Sequence, residues 1–353
     1  MQRIIRDTKA FRLRTPVISL SAVLIRRTIF RSLLLVVFLV GLFLGPGMAA
    51  ELPHLRVGAL AKGSVRWEMT ILKKLGLDTK YQFVLDVVPY AGKSATEVAL
   101  QGGAVDVIVD DWFWVARQRS QGVLLTAFPY SQTVGGVVVP KDSPIQDLPD
   151  LQGKKIGLAG GPLDKSWLIL RAVYLQRYGS DLQDLTETVS VAPPLASVQL
   201  ERGELDAIVQ FWHFIARLLA KGKTRQLVSV DALMRELGLS ETVPLLVYVF
   251  PEKLVRQNRQ LVQNFIHAVY EAKQYLLDHD EAWKEIADLV RAPDEKTLIL
   301  IREAWRKGVP RRWDAETFAN LERLFHIMRR IGGKRLIGTE QIPEGTFLKE
   351  ISF

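Results

Sequence analysis

Two short segments, one hundred residues apart, carry polar and aromatic side chains directly after a buried apolar run. Residues 110–112 read Asp-Asp-Trp, and residues 210–212 read Gln-Phe-Trp. Because ligands bind beyond the carboxyl ends of strands in open α/β sheets, both segments are expected to face a binding cleft. Carboxylates suit a cationic or polyol ligand, and a Trp ring can stack on it or make a cation–π contact. The ligand-binding candidates in these segments are Asp110, Asp111, Trp112, Gln210, Trp212 and His213.

A glycine-rich turn at residues 158–167 offers a different chemistry. Gly160 and Gly161 let a ligand approach the backbone, and Pro162 suits the first turn of a helix. The free N–H groups and the dipole of that helix favour an anion such as a carboxylate, sulfonate or phosphate. A plain strand–helix turn explains the same residues, and each Trp of the two segments could equally pack its helix on its sheet. The further candidates in these turns are Lys62, Ser64, Tyr90, Gly92, Gly160, Gly161 and Ser166.

The residue types needed for catalysis or for a metal site form no recognisable pattern. The chain contains no cysteine, which excludes a thiol nucleophile, a Cys-ligated metal site and a disulfide framework. Its five histidines are too scattered for an H-x-x-x-H metal pair, and neither a G-x-S-x-G elbow nor a phosphate-binding glycine loop occurs. The sequence therefore predicts a protein that is not an enzyme and that needs no cofactor or metal.

The two segments belong to an internal repeat. Residues 100–122 and 200–222 are identical at nine of 23 positions without a gap. Each copy reads as a helix end, a glycine turn, an Asp, a buried strand and an aromatic-led helix. Asp106 and Asp206 precede the strands and are interpreted as turn or cap residues. Because two copies are too few for a solenoid, the repeat indicates two similar lobes that enclose one cleft.

Short apolar runs alternate with helical stretches through most of the chain, which is typical of an α/β fold with helix-covered sheets. Further strands are predicted to end at Val191 and Val209, and from Pro251 onward only amphipathic helices are predicted. The chain is therefore expected to end in an all-helical cap. The clearest strand predictions are residues 55–60, 83–88, 105–109, 136–140 and 154–158. The predicted helices of the cap are residues 252–277, 281–290, 295–307 and 315–331.

The first fifty residues are predicted to be an export signal. They carry eight Lys or Arg side chains and one Asp, which is +7 of the formal net charge of +9. Residues 33–44 are uncharged and apolar, too short for a layer about 30 Å thick, and small residues follow at 47–50. Cleavage after export by the general (Sec) or the twin-arginine route is expected, with an uncleaved anchor as the alternative. The rest carries only +2, so composition gives no case for a nucleic-acid partner.

Four features together resemble the periplasmic solute-binding proteins of ABC importers: the export signal, the LRVGAL strand at 55–60, the repeated L-x-x-G-x-x-D-x-x-V unit and the helical C-terminus. The most similar branch binds nitrate, taurine, alkanesulfonates and related solutes. The resemblance implies a type II-like periplasmic-binding-protein fold, in which two α/β lobes are joined by crossover hinge strands, here at 134–139 and 244–250. The implied division is residues 1–50 for the signal, 51–138 plus 248–353 for the first lobe and 139–247 for the second.

This resemblance implies capture of a small solute in the interlobe cleft and its delivery to a membrane permease. The protein is then expected in the periplasm, as a monomer whose partners are the solute and an ABC permease of the inner membrane. Two alternatives stay open: a ligand-sensing partner of a signalling protein, and an enzyme or a carrier of a larger hydrophobic ligand that reuses the cleft. The solute is open between a cation or polyol, an anion, and a molecule that carries both kinds of group.

Overall fold

Two five-stranded sheets, each flanked by helices, form the framework of the chain. They belong to a computed structural model that describes residues 51–240 and 243–353. The predicted export signal lies outside the described residues, and residues 52–353 form one unit. Within the described ranges, no helix combines the length and the apolar character that crossing a membrane requires.

The strands divide evenly between the two sheets. In chain order they are β1 (His54–Leu60), β2 (Val84–Tyr90), β3 (Val107–Asp111), β4 (Leu125–Ser131), β5 (Gly135–Pro140), β6 (Lys155–Leu158), β7 (Glu187–Ser190), β8 (Ala207–Phe211), β9 (Thr224–Ser229) and β10 (Leu246–Pro251). The first sheet has the order β2-β1-β3-β10-β4, and the second has the order β7-β6-β8-β5-β9. In each sheet the first three strands pair in parallel and the other two in antiparallel fashion.

Helices connect and cover the strands. They are α1 (Ser64–Lys74), α2 (Leu77–Lys80), α3 (Lys93–Gln101), α4 (Trp112–Ser120), α5 (Lys165–Tyr178), α6 (Pro193–Glu201), α7 (Trp212–Lys221), α8 (Val230–Glu236), α9 (Glu252–Gln257), α10 (Arg259–Asp278), α11 (Asp280–Glu285), α12 (Ala287–Val290), α13 (Glu295–Lys307) and α14 (Ala315–Leu336). After β10 the described chain is helical up to Leu336, as the sequence predicts. The predicted helix over 252–277 is two helices, because the backbone of Asn258 is not helical.

The chain passes from one sheet to the other at β5 and returns at β10. Each of these strands pairs antiparallel with the central strand that ends in a predicted ligand segment, β5 with β8 and β10 with β3. They lie where the sequence predicts the crossovers, and the predicted two-sheet α/β fold is confirmed. The exact lobe boundaries stay a prediction. Gly135 permits the close approach of β5 to β8, because a Cβ atom there would collide with the backbone carbonyl of Gln210.

The repeat corresponds to one structural unit in each sheet. Its shared glycines at 103 and 203 both have positive φ, 71° and 73°, which explains why glycine stands in both copies. Asp106 accepts a hydrogen bond from the backbone N–H of Arg56 (2.8 Å), and Asp206 accepts one from Lys155 (2.8 Å). Each Asp therefore ties its own strand to the neighbouring parallel strand, which is more specific than the predicted role in a turn.

Candidate functional site

Four charged side chains meet at the point where the central strand of the first sheet approaches a helix of the second. Lys93 is the first residue of α3, and its Nζ lies 2.8 Å from both Asp110 Oδ1 and Asp111 Oδ2 at the end of β3. Lys165, the first residue of α5, places its Nζ 2.7 Å from the same Oδ2 of Asp111. Because α5 follows β6, this ion pair joins the two sheets. We call Lys93, Asp110, Asp111 and Lys165 the junction cluster.

Asp111 is the centre of the junction cluster and has partners on both carboxylate oxygens. Its Oδ1 accepts a hydrogen bond from the backbone N–H of Trp114 (2.9 Å) and thereby caps α4, while its Oδ2 receives both lysines. Burial favours the neutral acid, but Lys165 and Lys93 outweigh burial and hold the pKa of Asp111 well below its usual range. Asp111 is therefore an ionised anchor for the contact between the sheets.

Asp110 is as deeply buried as Asp111 but is less completely bonded. Its Oδ1 accepts from the backbone N–H of Asp111 (2.6 Å) and from Lys93. Its Oδ2 is buried and has no hydrogen-bond partner among the described residues. Burial raises the pKa of Asp110 well above its ordinary value, and the charge of Asp111 adds to this effect, while Lys93 opposes it. The pKa of Asp110 is thus raised and the pKa of Asp111 lowered relative to a free aspartate.

The glycine-rich turn brings a further carboxyl to the junction cluster. Gly160 leaves space for the side chain of Asp164, which accepts from the backbone N–H of Trp167 (3.1 Å) and caps α5. The helix begins at Lys165, after Pro162, and Ser166 is buried in its first turn. Burial raises the pKa of Asp164, with Lys165 opposing. The carboxyl group of Asp164 therefore already bonds a backbone N–H at the start of α5.

In the second sheet, Gln210 occupies the place of Asp110 and is fully bonded. Its Oε1 accepts from the backbone N–H of Phe211 (2.9 Å). Its Nε2 donates to the carbonyl of Pro193 (2.7 Å) and contacts Ser197 Oγ (3.3 Å). The amide thus fixes the start of α6 and has few bonds left to offer a ligand.

The aromatic candidates next to these strand ends are enclosed by protein. Trp112 is 0% exposed and packs in the core against Phe325 and Phe347. Trp212 is nearly buried, and its ring centroid lies 6.0 Å from that of Trp67 on α1. This ring contact also joins a helix that follows a strand of the second sheet to a helix that follows a strand of the first. Whether either ring touches a ligand stays a prediction.

His213 follows Trp212 at the start of α7, and its ring centroid lies 5.3 Å from that of Trp212. Burial, together with the charge of Arg217, lowers the pKa of His213 to about 3. The ring is therefore neutral at physiological pH. A ligand contact at this residue stays a prediction.

The other candidates lie in turns and at strand ends of both sheets. Gly92 directly precedes Lys93, and Gly161 adopts a φ of 75° before α5. Ser64 bonds Tyr130 through Oγ and Oη (2.8 Å), whereas Lys62 is exposed in the turn after β1. Tyr90 is half-buried at the end of β2. The structure thus places Asp110 and Asp111 together with Lys93, which follows Gly92, and Lys165, which precedes Ser166. Ser64 is instead hydrogen-bonded to Tyr130.

Sequence reasoning missed Lys93 and Lys165, the two cations of the junction cluster. Each lies next to a predicted residue, after Gly92 and before Ser166, and each begins a helix. Their position at a helix start beside a predicted ligand residue could have identified them from the sequence. The partner of each lysine lies on a different element, so periodicity alone could not identify it.

Two further features lie away from the junction cluster. A cavity of about 580 Å³ lies beside α10 and the loop after α13. None of its lining residues was predicted from the sequence; they include Tyr270, Lys273, Leu277, Arg306, Arg311 and Phe353. Among the described residues, no group of three or more His, Asp or Glu side chains could hold a metal ion.

Solved structures identify the class of fold that these two sheets define. The aliphatic sulphonate binding protein SsuA from Escherichia coli, a periplasmic protein, matches with a TM-score of 0.67 at 17% identity, over 85% of this chain and 98% of that chain. The alkanesulfonate-binding protein SsuA from Xanthomonas axonopodis pv. citri, solved with bound MOPS, matches with a TM-score of 0.64 at 18% identity, over 85% and 99%. The fold is therefore that of periplasmic binding proteins.

A family model gives the particular assignment. The model described as NMT1/THI5 like matches residues 73–282, more than half of the chain, and the chain belongs to this family. No curated protein sequence matches the chain. The desulfurization enzyme DszB also shares the fold, with a TM-score of 0.54 at 18% identity over 82% of this chain and 94% of that chain. The resemblance found in the sequence is thus confirmed for family and fold, and the fold occurs in binding proteins and in an enzyme.

Proposed function

We propose that this chain is the exported substrate-binding component of an ABC importer, which captures a small solute between its two sheets and delivers it to a membrane permease. The carrying observation is the 2.7 Å contact between Asp111 of the first sheet and Lys165 of the second. We call each sheet with its helices one half of the chain. The contact brings both halves together at the carboxyl end of a central strand, where open α/β sheets bind ligands. The periplasmic binding proteins that share the fold support this role and a periplasmic location.

Closure of the two halves on the solute follows from the same contacts. A hinge motion about β5 and β10 would separate Lys165 from Asp111 and expose the junction cluster to solvent. A solute that bonds groups from both halves then favours the closed arrangement by its differential affinity. The contact of Trp212 with Trp67 adds apolar area that is buried only when the halves meet.

We favour binding over catalysis, although DszB shares the fold. The chain has no cysteine, and His213 is enclosed among aromatic rings with its pKa lowered to about 3. Within the junction cluster, the buried Oδ2 of Asp110 has no hydrogen-bond partner among the described residues, which leaves this oxygen for a solute. The cavity of about 580 Å³ beside α10 is lined in part by charged side chains, among them Asp278, Arg306 and Arg311, which does not favour a carrier of a hydrophobic ligand.

A thermal-unfolding screen tests the proposal. The chain from Leu52 onward would be unfolded with nitrate, bicarbonate, taurine, alkane- and arylsulfonates, amines, pyrimidine precursors and sterol-like lipids. A ligand at 100 times its dissociation constant adds about 2.7 kcal/mol to the free energy of unfolding, which raises the melting temperature by several degrees. A saturable increase with a small solute supports the proposal. An increase with sterol-like lipids alone would favour the carrier alternative instead.

A further inference from the structure

The two strand ends of the repeat are built alike, but their hydrogen bonds are completed differently. Asp110 and Gln210 each accept from the next backbone N–H through one oxygen. Each is also tied to the first residue of the preceding helix, Asp110 to Lys93 and Gln210 to Pro193. These two helix starts precede the repeat and lie at the same offset of 100 residues. The amide of Gln210 is then satisfied, whereas Asp110 keeps a buried Oδ2 without a partner in the described part of the chain.

An unpartnered buried oxygen is energetically unfavourable. It destabilises a protein unless a partner is supplied. Asp110 is 2% exposed, so solvent supplies little of that bonding when the halves are closed. The second copy shows that the same backbone can hold a fully bonded amide at this place. An acid in the first copy therefore indicates a partner from outside the chain, which is a donor when Asp110 is ionised in the complex.

The charged groups near Asp110 indicate whether that partner is a cation or an anion. Among the described side chains that interact with Lys93 or Lys165 here, four carboxyl groups face two ammonium groups, so full ionisation would leave an excess of negative charge. Burial instead raises the pKa of two of the carboxyls, those of Asp110 and Asp164. The groups are Asp110, Asp111, Asp164 and Glu97 against Lys93 and Lys165.

The other candidate position for a charged solute is already occupied. The start of α5 would attract an anion through its free N–H groups. In this chain Asp164 bonds the backbone N–H of Trp167 there, and an anion would meet that carboxyl group. Both sides of the junction therefore disfavour added negative charge.

We propose that the solute is a small organic cation, an ammonium or amidinium ion, whose N–H group donates to Asp110 Oδ2. The inference rests on the proposed function and specifies its solute class. Lys93 has a half-exposed side chain and can move aside, while Asp111 keeps Lys165 as its partner. A bound cation favours the ionised form of Asp110, so binding lowers the pKa of this carboxyl and releases protons wherever it is protonated in the free chain.

The decisive experiment compares cations with anions on three proteins. The chain from Leu52 onward, its Asp110→Asn variant and an exposed control, Glu204→Gln, would be titrated with methylammonium, ethanolamine, putrescine and benzamidine, and with nitrate, ethanesulfonate and benzoate. At least one cation should raise the melting temperature in a saturable way. Asp110→Asn should weaken that binding about tenfold or more, because a charge-assisted bond is lost, and Glu204→Gln should leave it unchanged.

Calorimetry of the same cation in two buffers of different ionisation enthalpy measures the protons released. The unaltered chain should release protons and the Asp110→Asn variant should release none, a result that does not depend on the variant's stability. Stabilisation by anions alone, or cation binding that Asp110→Asn leaves intact, would overturn the cation proposal while keeping solute capture. No response to either set would contradict the proposed function as well.

Discussion

The two copies of the repeat have the same backbone but place different chemistry at the strand end. The first copy has two buried carboxyls followed by Trp112 and Phe113, and the second has an amide and Phe211 followed by Trp212 and His213. In the second copy the amide bonds only to groups of its own half. In the first copy Asp111 reaches Lys165 of the other half. Duplicated architecture thus provides the frame, and the differences mark where function is concentrated.

The largest effect is expected from removing the anchor of the first copy. Asp111→Ala leaves two lysines without their shared partner and removes the cap of α4. Breaking a buried ion pair in this way lowers the free energy of unfolding by about 3–5 kcal/mol. A conservative change at the equivalent position of the second copy, Phe211→Leu, should lower it by less than about 1.5 kcal/mol. Urea unfolding measures both, and equal losses would show that the two strand ends do not differ as described.

The contact between the halves can be broken from the other side with Lys165→Met. Asp111 then keeps only Lys93, so the expected loss is about 2–3 kcal/mol, less than for removing Asp111 itself. Lys155→Met is the matched control, because its amine lies 3.5 Å from the exposed Glu187 and such surface pairs contribute at most about 1 kcal/mol. The loss should be accompanied by faster hydrogen exchange at residues 164–168. Similar losses for the two lysine variants would argue against a special role of Lys165.

The two copies should also differ in how stability responds to pH, because the first copy has Phe113 where the second has His213. The unfolded chain takes up a proton at His213 near pH 6.5, and the folded chain does so only near pH 3. Stability should therefore fall as the pH drops through this window, by about 2 kcal/mol at pH 5. His213→Phe makes the second copy resemble the first and should flatten the slope between pH 6.5 and pH 4. An unchanged slope would contradict a lowered pKa of His213 in the folded chain.

The smallest effect on stability is expected for Asp110→Asn. Because the pKa of Asp110 is raised by folding, ionisation above pH 4 destabilises the folded chain. The variant cannot ionise, so its stability relative to the unaltered chain should increase as the pH rises from about 4. Thermal unfolding over that range measures the difference. A variant that becomes relatively less stable with rising pH would show that Asp110 is a stabilising anion like Asp111.

The sequence predicts the parts of the molecule that depend on local pattern. The strand–helix alternation, the repeat and the acidic strand end all follow from runs of residues, and all are present. The edge strands β4 and β9 were missed, because Leu125–Ser131 contains a proline and Thr224–Ser229 is largely polar. Both are stabilised by pairing with a crossover strand, which only the folded chain brings near.

The candidate site was predictable only in part, for the same reason. Asp110 and Asp111 could be proposed because they directly follow the strand predicted at 105–109, and in the structure they are the last two residues of β3. Their opposite pKa shifts depend on Lys93 and Lys165, which come from two other elements. The anion site predicted at the glycine-rich turn did not anticipate that Asp164 would occupy the helix start.

Hydrogen exchange of the chain with and without the solute that gives the largest thermal shift tests the central claim most directly. If the solute binds between the halves at the junction cluster, residues 110–114 and 164–168 should gain protection together, although they belong to different sheets. Protection of only one of these segments, or of the residues around the cavity beside α10, would contradict the account.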